Sequence, residues 1–238
     1  MNRYALPLLA LLASSAVAPE PAAARFRAPQ APVAGGGLQA FFDGVGESID
    51  VSKDQLVYQR WRSADPDEAE HGSTIRVQIE LVRRGSGNAI GVYDASGSGA
   101  TALHEIFPAE GGGGDRAIST FESREPRLTV TVFDRRGAWH SQRSYLGSVG
   151  SRFGYYISGA GGVGFSQDSR QSPARDARVL AFAGTGMNQG RFWICFEDND
   201  PGDPDPDADF DDAILLVGPV DPTPAVRSAW GLVKALFR

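Results

Sequence analysis

The sequence has few residues that form covalent cross-links or hold transition metals. It has one cysteine, Cys195, so no intrachain disulfide can form. The three histidines, His71, His104 and His140, are far apart and show no zinc-ligand spacing with that cysteine. A disulfide scaffold and a zinc centre are therefore excluded, and stability must come from core burial, with bound metal as a further source. Cys195 lies among aromatic and aliphatic residues, which predicts a buried, unreactive thiol.

Positive charge is also scarce. The formal net charge is -6, and the densest charge cluster is acidic. A protein that binds nucleic acid needs a basic surface for phosphate contacts, so this partner class is excluded. The natural partner of the acidic cluster is a cation. With 42% hydrophobic residues, the chain can still bury a core.

The N-terminus resembles an export signal rather than a membrane span. Arg3 precedes an apolar run at residues 4–18, which is shorter than the roughly 20 residues that a transmembrane helix needs. Small residues offer cleavage after Ala18 or Ala24. We predict a secreted or cell-surface protein without a transmembrane anchor in its mature form. Its predicted parts are a signal peptide at 1–24, a flexible linker at 25–37, a β-sandwich domain at 38–220 and a helical tail at 221–238.

Alternating polar and apolar residues predict the fold. Within residues 75–81, Val77 and Ile79 share one strand face, and Arg76 and Gln78 share the other. Similar runs predict strands at 90–93, 103–107, 118–121, 128–133, 153–157, 179–182, 192–196 and 213–217. No long amphipathic helices separate them, so a parallel α/β sheet would lack crossovers. We predict an all-β fold, an antiparallel, jelly-roll-like β-sandwich with a short C-terminal helix or tail.

The C-terminal prediction rests on helical spacing. Val226, Trp230, Val233 and Phe237 follow one another at intervals of four, three and four residues, which places them on one helix face. Such a helix is too short to cross a membrane. It either docks on the sandwich or acts as a sorting signal.

A dense acidic segment at residues 196–212 separates two predicted core strands. Carboxylates so close together repel one another, and calcium accepts several such oxygens in a flexible geometry that magnesium does not tolerate. The sequence lacks the glycine and glutamate positions of an EF-hand loop. We predict a calcium site of another type, with its ligands among Glu197, Asp198, Asp207, Asp209, Asp211 and Asp212.

The geometry of this segment follows from strand alternation. If the chain is extended, Asp207, Asp209 and Asp211 point to one side, whereas Phe210 and Asp212 point to the other. Phe210 would then anchor the segment in the core, with Asp207 as a reserve ligand. The alternative is a solvated acidic loop that its prolines keep extended.

Two segments carry a resemblance to a known family. Residues 192–198, which end in Phe196-Glu197-Asp198, and residues 207–214, which begin Asp207-Ala208-Asp209-Phe210-Asp211-Asp212, resemble the F-E-D … D-x-D-[FY]-[ND]-D signature of a bacterial domain of unknown function. That domain occurs in exported proteins, many of the PEP-CTERM type with varied anchors. Shorter matches at 49–55, 91–93, 153–157 and 166–168 extend the resemblance over roughly residues 50–217.

The resemblance implies a secreted β-sandwich without established catalysis, in which the acidic signature binds calcium or braces the fold. Asp211 stands where members often have asparagine, and the proline-rich acidic insert is unusual. The Pro-Glu-Pro sorting motif with its membrane span and arginine cluster is missing. Release or noncovalent association with the surface is therefore favoured over anchoring.

Enzyme functions find little support in the motifs. The glycine-rich run at residues 159–164 matches a dinucleotide fingerprint, but no helix pattern follows it, so we predict a β-turn. No G-x-S-x-G elbow marks a nucleophilic serine. A secreted glycoside hydrolase would pair Glu197 with one of the aspartates.

Carbohydrate binding is another alternative. It would use exposed aromatic residues among Trp61, Trp139, Tyr145 and Tyr155, and its partners would be extracellular polysaccharide or cell-surface components. The leading prediction is a noncatalytic secreted or surface protein, structural or adhesive, with a calcium-binding acidic loop.

Overall fold

A computed structural model of the protein describes one helix and thirteen strands within residues 37–223. The described residues are 37–56, 59–62, 74–84, 87–96, 102–110, 112–122, 127–147, 149, 152–170, 177–198, 209–218 and 221–223. The helix α1 spans Gly37–Gly44. The strands are β1 Arg60–Arg62, β2 Thr74–Arg84, β3 Ala89–Asp94, β4 Leu103–Phe107, β5 Arg116–Glu122, β6 Arg127–Phe133, β7 Trp139–Leu146, β8 Arg152–Gly159, β9 Gly162–Phe165, β10 Val179–Ala183, β11 Phe192–Phe196, β12 Ala213–Gly218 and β13 Asp221–Thr223.

The strands form two antiparallel sheets. One has seven strands in the order β10-β11-β12-β2-β5-β6-β7. The other has six, in the order β13-β1-β8-β3-β4, with β9 paired to β8. The chain passes from β2 to β3 and β4 in the second sheet, then returns to place β5 beside β2. The predicted all-β antiparallel sandwich is confirmed.

The space between the sheets is filled as the alternation predicts. Val77, Ile79 and Leu81 of β2 are buried in one continuous cluster with Val92 of β3 and Tyr155 of β8, so the inner faces of both sheets contribute to one core. Because successive side chains of a strand point to opposite faces, Arg76 and Gln78 are exposed.

A second apolar layer covers the outer face of β10, β11 and β12. The helix α1 buries Leu38 and Phe42 against it, and the Phe42 ring lies 5.2 Å from that of Phe182 and 5.7 Å from that of Trp193. Cys195 belongs to this layer and is fully buried, as predicted, and burial raises the pKa of its thiol. With apolar groups on both faces, these strands read as continuous hydrophobic runs.

Some elements differ from their predicted form. The helix α1 begins at Gly37, the last residue of the predicted linker. Strands β1, β9 and β13 have only three or four residues, too few for a periodic signal, and the mostly exposed β7 carries no apolar face. Because β13 pairs with β1, β-structure extends three residues beyond the predicted domain end at residue 220.

Several predicted features lie outside the described residues: the signal peptide at 1–24, the helix residues of the tail from Val226 onward, and Asp207. The described part of the chain contains no helix with the length and apolar character that a membrane crossing needs.

Candidate metal site

Three acidic side chains converge where β11 ends and β12 begins. Phe196 pairs with Ala213 across the two antiparallel strands. Glu197 and Asp198, which follow β11, therefore lie beside Asp212, which precedes β12. One carboxylate oxygen from each of these three residues lies within 4.8 Å of the others. Glu197 is buried and the other two are half-buried. We call these three residues the acidic cluster.

Hydrogen bonds fix the orientation of each carboxylate. The backbone N–H of Asp198 donates to Asp212 Oδ2 at 2.8 Å, and that of Phe210 donates to Glu197 Oε2 at 3.4 Å. The side-chain amide of Asn88 donates to Asp198 Oδ2 at 2.6 Å. Asn88 is buried and immediately precedes β3, so the acidic cluster contacts both sheets.

A buried arginine lies behind the acidic cluster. Arg178 Nε donates to the carbonyl oxygen of Glu197 at 2.7 Å, and its guanidinium also donates to the carbonyl of Asp198. Its side chain crosses Gly164 of β9, where a Cβ atom would lie 2.9 Å from Arg178 Cβ. Because these carbonyls face the guanidinium, oxygen ligands for a cation would come from the side chains of the cluster.

The surroundings of the cluster shift the protonation of one of its carboxyl groups. Burial is the largest cause that raises the pKa of Asp212, to about 7. A hydrogen bond from the Asp198 backbone opposes this shift, while the charges of Glu197, Asp198 and Asp209 add to it. Because the pKa is raised, the free energy of unfolding falls as the pH rises from about 3.8, the ordinary value, to about 7.

The two other predicted ligands within the described residues, Asp209 and Asp211, have partners of their own. Asp211 Oδ2 forms an ion pair with Arg83 Nη1 at 2.6 Å, and Asp209 Oδ1 accepts the Asp211 backbone N–H at 2.9 Å. A Cβ at Gly37 would lie 2.2 Å from Asp211 Oδ2, so these aspartates lie against the start of α1. The structure therefore does not bring Asp209 and Asp211 into the acidic cluster.

The described part of the acidic segment before β12 is not an extended chain. Phe210 has a φ of +60°, which is uncommon for a residue other than glycine. Its ring is buried in the outer apolar layer, as predicted for an anchor. The left-handed turn at Phe210 replaces the simple alternation expected for an extended chain.

Two residues of the site, Asn88 and Arg178, are not predicted from the sequence. Asn88 belongs to the turn between β2 and β3, where asparagine is common for conformational reasons. Arg178 precedes β10, and a single arginine before a strand does not indicate burial. Both contacts join residues at least 19 positions apart, so local patterns do not report them.

The structure also shows the positions of the residues on which the alternative functions were based. The glycine-rich run forms the turn of the β8–β9 hairpin, where Gly159 pairs with Gly162, as predicted. Trp61 and Tyr155 are core residues, so neither can stack on a ligand. Tyr145 is half-buried and donates to the carbonyl of Glu105 at 3.0 Å. Trp139 is 66% exposed.

The chain matches none of the protein-family models to which it was compared, and no curated protein is significantly similar to it. The resemblance to the bacterial domain family therefore stays a prediction. Fold and site together define a two-sheet antiparallel sandwich with a partly buried acidic cluster at one end. The cluster offers only oxygen donors, which suits a hard cation.

Proposed function

We propose that the protein is a noncatalytic secreted or cell-surface β-sandwich whose acidic cluster binds calcium, in a structural or adhesive role. The supporting observation is the convergence of Glu197, Asp198 and Asp212 within 4.8 Å. These three side chains would hold the ion, and water would supply further oxygens. The ion would join the β11–β12 connection to Asn88 and hence to the other sheet.

The balance of charges favours a cation here. Three carboxylates in contact repel one another strongly when they are partly removed from water. Arg178 donates to the backbone carbonyls of Glu197 and Asp198 rather than neutralising their carboxylates directly, and the carboxylates accept hydrogen bonds from Asp198, Phe210 and Asn88. A divalent ion would neutralise the side-chain oxygens directly.

Burial favours an ion over a sugar. A glycoside hydrolase needs both carboxyl groups to reach the scissile bond. Glu197 is only 3% exposed and its backbone is held by Arg178. An ion needs far less space than a sugar ring, so calcium binding agrees better with this environment.

The test is a calcium titration of metal-stripped protein by calorimetry, with melting temperatures recorded in calcium and in chelator. We expect calcium to bind and to raise the melting temperature of the unaltered protein, because a ligand of the folded state stabilises it. Asp212→Asn should abolish both effects. Glu110→Gln, at an exposed turn away from the cluster, is the matched control and should retain both.

The chelator arm separates loss of binding from misfolding. At pH 8, Asp212→Asn should melt above the unaltered protein, because it removes a charge whose pKa is raised to about 7. At pH 5 this difference should be smaller, and it should vanish only below about pH 3.8, where Asp212 is protonated in the folded and the unfolded state alike. Absence of calcium heat in the unaltered protein, with an unchanged melting temperature, would refute the proposal. Polysaccharide turnover would point to the hydrolase, and calcium-dependent glycan binding to a carbohydrate-binding module.

A further inference from the structure

Arginines gather on the outer face of the six-stranded sheet, where β1 and β8 run side by side. Trp61 of β1 is buried in the core, so Arg60 and Arg62 on either side of it point outward. The Cα atom of Arg62 pairs with that of Arg152 on β8. Directly opposed residues share a face, so two like charges are held close together.

A fourth arginine is fixed beside them. Arg170 lies in a 3₁₀ turn that follows β9, and its guanidinium carbon lies 5.1 Å from the centre of the Tyr93 ring. It also donates to the carbonyl oxygen of Asp94 at 3.3 Å. The Tyr93 ring in turn covers Gly154, where a Cβ would lie 2.4 Å from the ring. These contacts hold the Arg170 guanidinium against the sheet.

The arginines on the two strands outnumber the one acidic residue that the strand register places opposite them, Asp221 of β13. Within the described residues, no carboxylate forms an ion pair with Arg60, Arg62 or Arg152. Arg60 is half-buried, and burial, followed by the charges of Arg152 and Arg170, lowers its pKa. Arg62 lies between Arg152 of β8 and Asp221 of β13 in one row of Cα partners, so a single acidic residue of the chain opposes one of the three strand arginines. Like charges at a partly dry surface are unfavourable unless an anion joins them.

We propose that Arg60, Arg62, Arg152 and Arg170 form a binding site for a single oxyanion group, the sulfate, phosphate or carboxylate of a ligand. Guanidinium groups present paired N–H donors that match the oxygens of these anions. The site suits a compact anion rather than a long polyanion, because the protein as a whole carries a net charge of -6 and repels extended negative charge.

The experiment measures anion binding in chelator at low ionic strength, so that it does not depend on the calcium proposal. Inorganic sulfate, inorganic phosphate and a uronate oligosaccharide are titrated separately, with sodium chloride as the reference salt. The tightest of the three identifies the source of the oxyanion. We expect Arg60→Gln with Arg152→Gln to weaken this binding by about tenfold or more. Arg76→Gln, an exposed arginine on the other sheet, is the control and should leave the affinity unchanged.

The melting temperature of the ligand-free double variant supplies the second readout. Removing like charges should leave it unchanged or raise it. Equal binding by the double variant and the unaltered protein would overturn the proposal, as would binding of none of the three anions. A lower melting temperature without anion binding would mean that the chain's own carboxylates pair with the arginines. The acidic residues that follow Arg62 in sequence are Asp65, Asp67, Glu68 and Glu70.

Discussion

The two ends of β11 show two ways of placing carboxylates at the edge of a core. Near its start, the buried Glu47 accepts hydrogen bonds from the backbone N–H and hydroxyl of Thr185 at 2.6 and 2.5 Å. Its other oxygen accepts from Asn188 Nδ2 at 2.7 Å and Trp193 Nε1 at 3.0 Å. Beyond its end lies the acidic cluster, where three carboxylates adjoin one another and accept hydrogen bonds from Asp198, Phe210 and Asn88.

The pKa values at the two ends of β11 shift in opposite directions. For Glu47, burial is the largest single influence and raises the pKa, but the hydrogen bonds together outweigh it and lower the pKa. For Asp212, burial and neighbouring carboxylates dominate, and the pKa rises to about 7. Four donors thus satisfy one buried carboxylate without a counter-ion. The three adjoining carboxylates instead repel one another, which is the physical reason to expect a cation at one end of β11 and not at the other.

The largest expected effect is at the Glu47 end. Glu47→Ala removes the acceptor for four donors, two of them on Thr185, and should lower the free energy of unfolding by about 3 kcal/mol. Urea unfolding measures this loss, with Glu110→Gln as the control. A loss no larger than that of the control would show that the hydrogen bonds do not stabilise the fold.

The same residue gives a pH dependence of known sign. Because the pKa of Glu47 is lowered from 4.5, its contribution is present above about pH 4.5 and is lost as the pH falls through the lowered value. Glu47→Gln should therefore flatten the acid limb of the unfolding profile.

A smaller effect is expected for the aspartates beside α1. Asp211→Asn weakens the ion pair with Arg83, in which Asp211 is buried and Arg83 about half-exposed, and should cost about 1 kcal/mol. Since this pair lies outside the acidic cluster, the loss should be equal in calcium and in chelator. Thermal melts under both conditions test this. A loss confined to calcium would make Asp211 a ligand and would contradict the division of the aspartates described above.

Sequence reasoning predicts the features that depend on neighbouring residues and misses those that depend on contacts between distant ones. Alternation identifies β2 because its period is local, and the continuous run of β11 is recognisable because both of its faces are buried. The sequence shows that the acidic segment exists, but it does not show that Asp212 joins the acidic cluster while Asp209 and Asp211 do not. That division depends on the left-handed turn at Phe210 and on the approach of Arg83. Neither is encoded in the spacing of the aspartates.

The Glu47 arrangement was not predicted for a similar reason. A lone glutamate after a short helix is usually solvated, and nothing nearby indicates that donors 138 to 146 residues away will surround it. The helix itself is not predicted: only its first residue, Gly37, lies in the predicted linker, and the rest lies in the predicted β-sandwich domain. Its apolar residues Leu38 and Phe42 are buried because they pack on the outer surface of β10–β12, and the local sequence does not indicate this contact.

The smallest expected effect tests whether the acidic cluster acts across both sheets. Asn88→Ala removes one hydrogen bond to Asp198 and should cost about 1 kcal/mol in chelator. If the Asn88 amide positions the Asp198 carboxylate for calcium, the calcium affinity of Asn88→Ala should also fall by a few-fold. Asp212 and Glu197 should remain able to bind the ion. Asn88→Asp places a carboxylate beside Asp198 instead, so it should also destabilise the protein in chelator, but calcium should restore more stability to it than to Asn88→Ala. Equal calcium affinity in Asn88→Ala and the unaltered protein would confine Asn88 to a structural role, with any ion held by the β11–β12 connection alone.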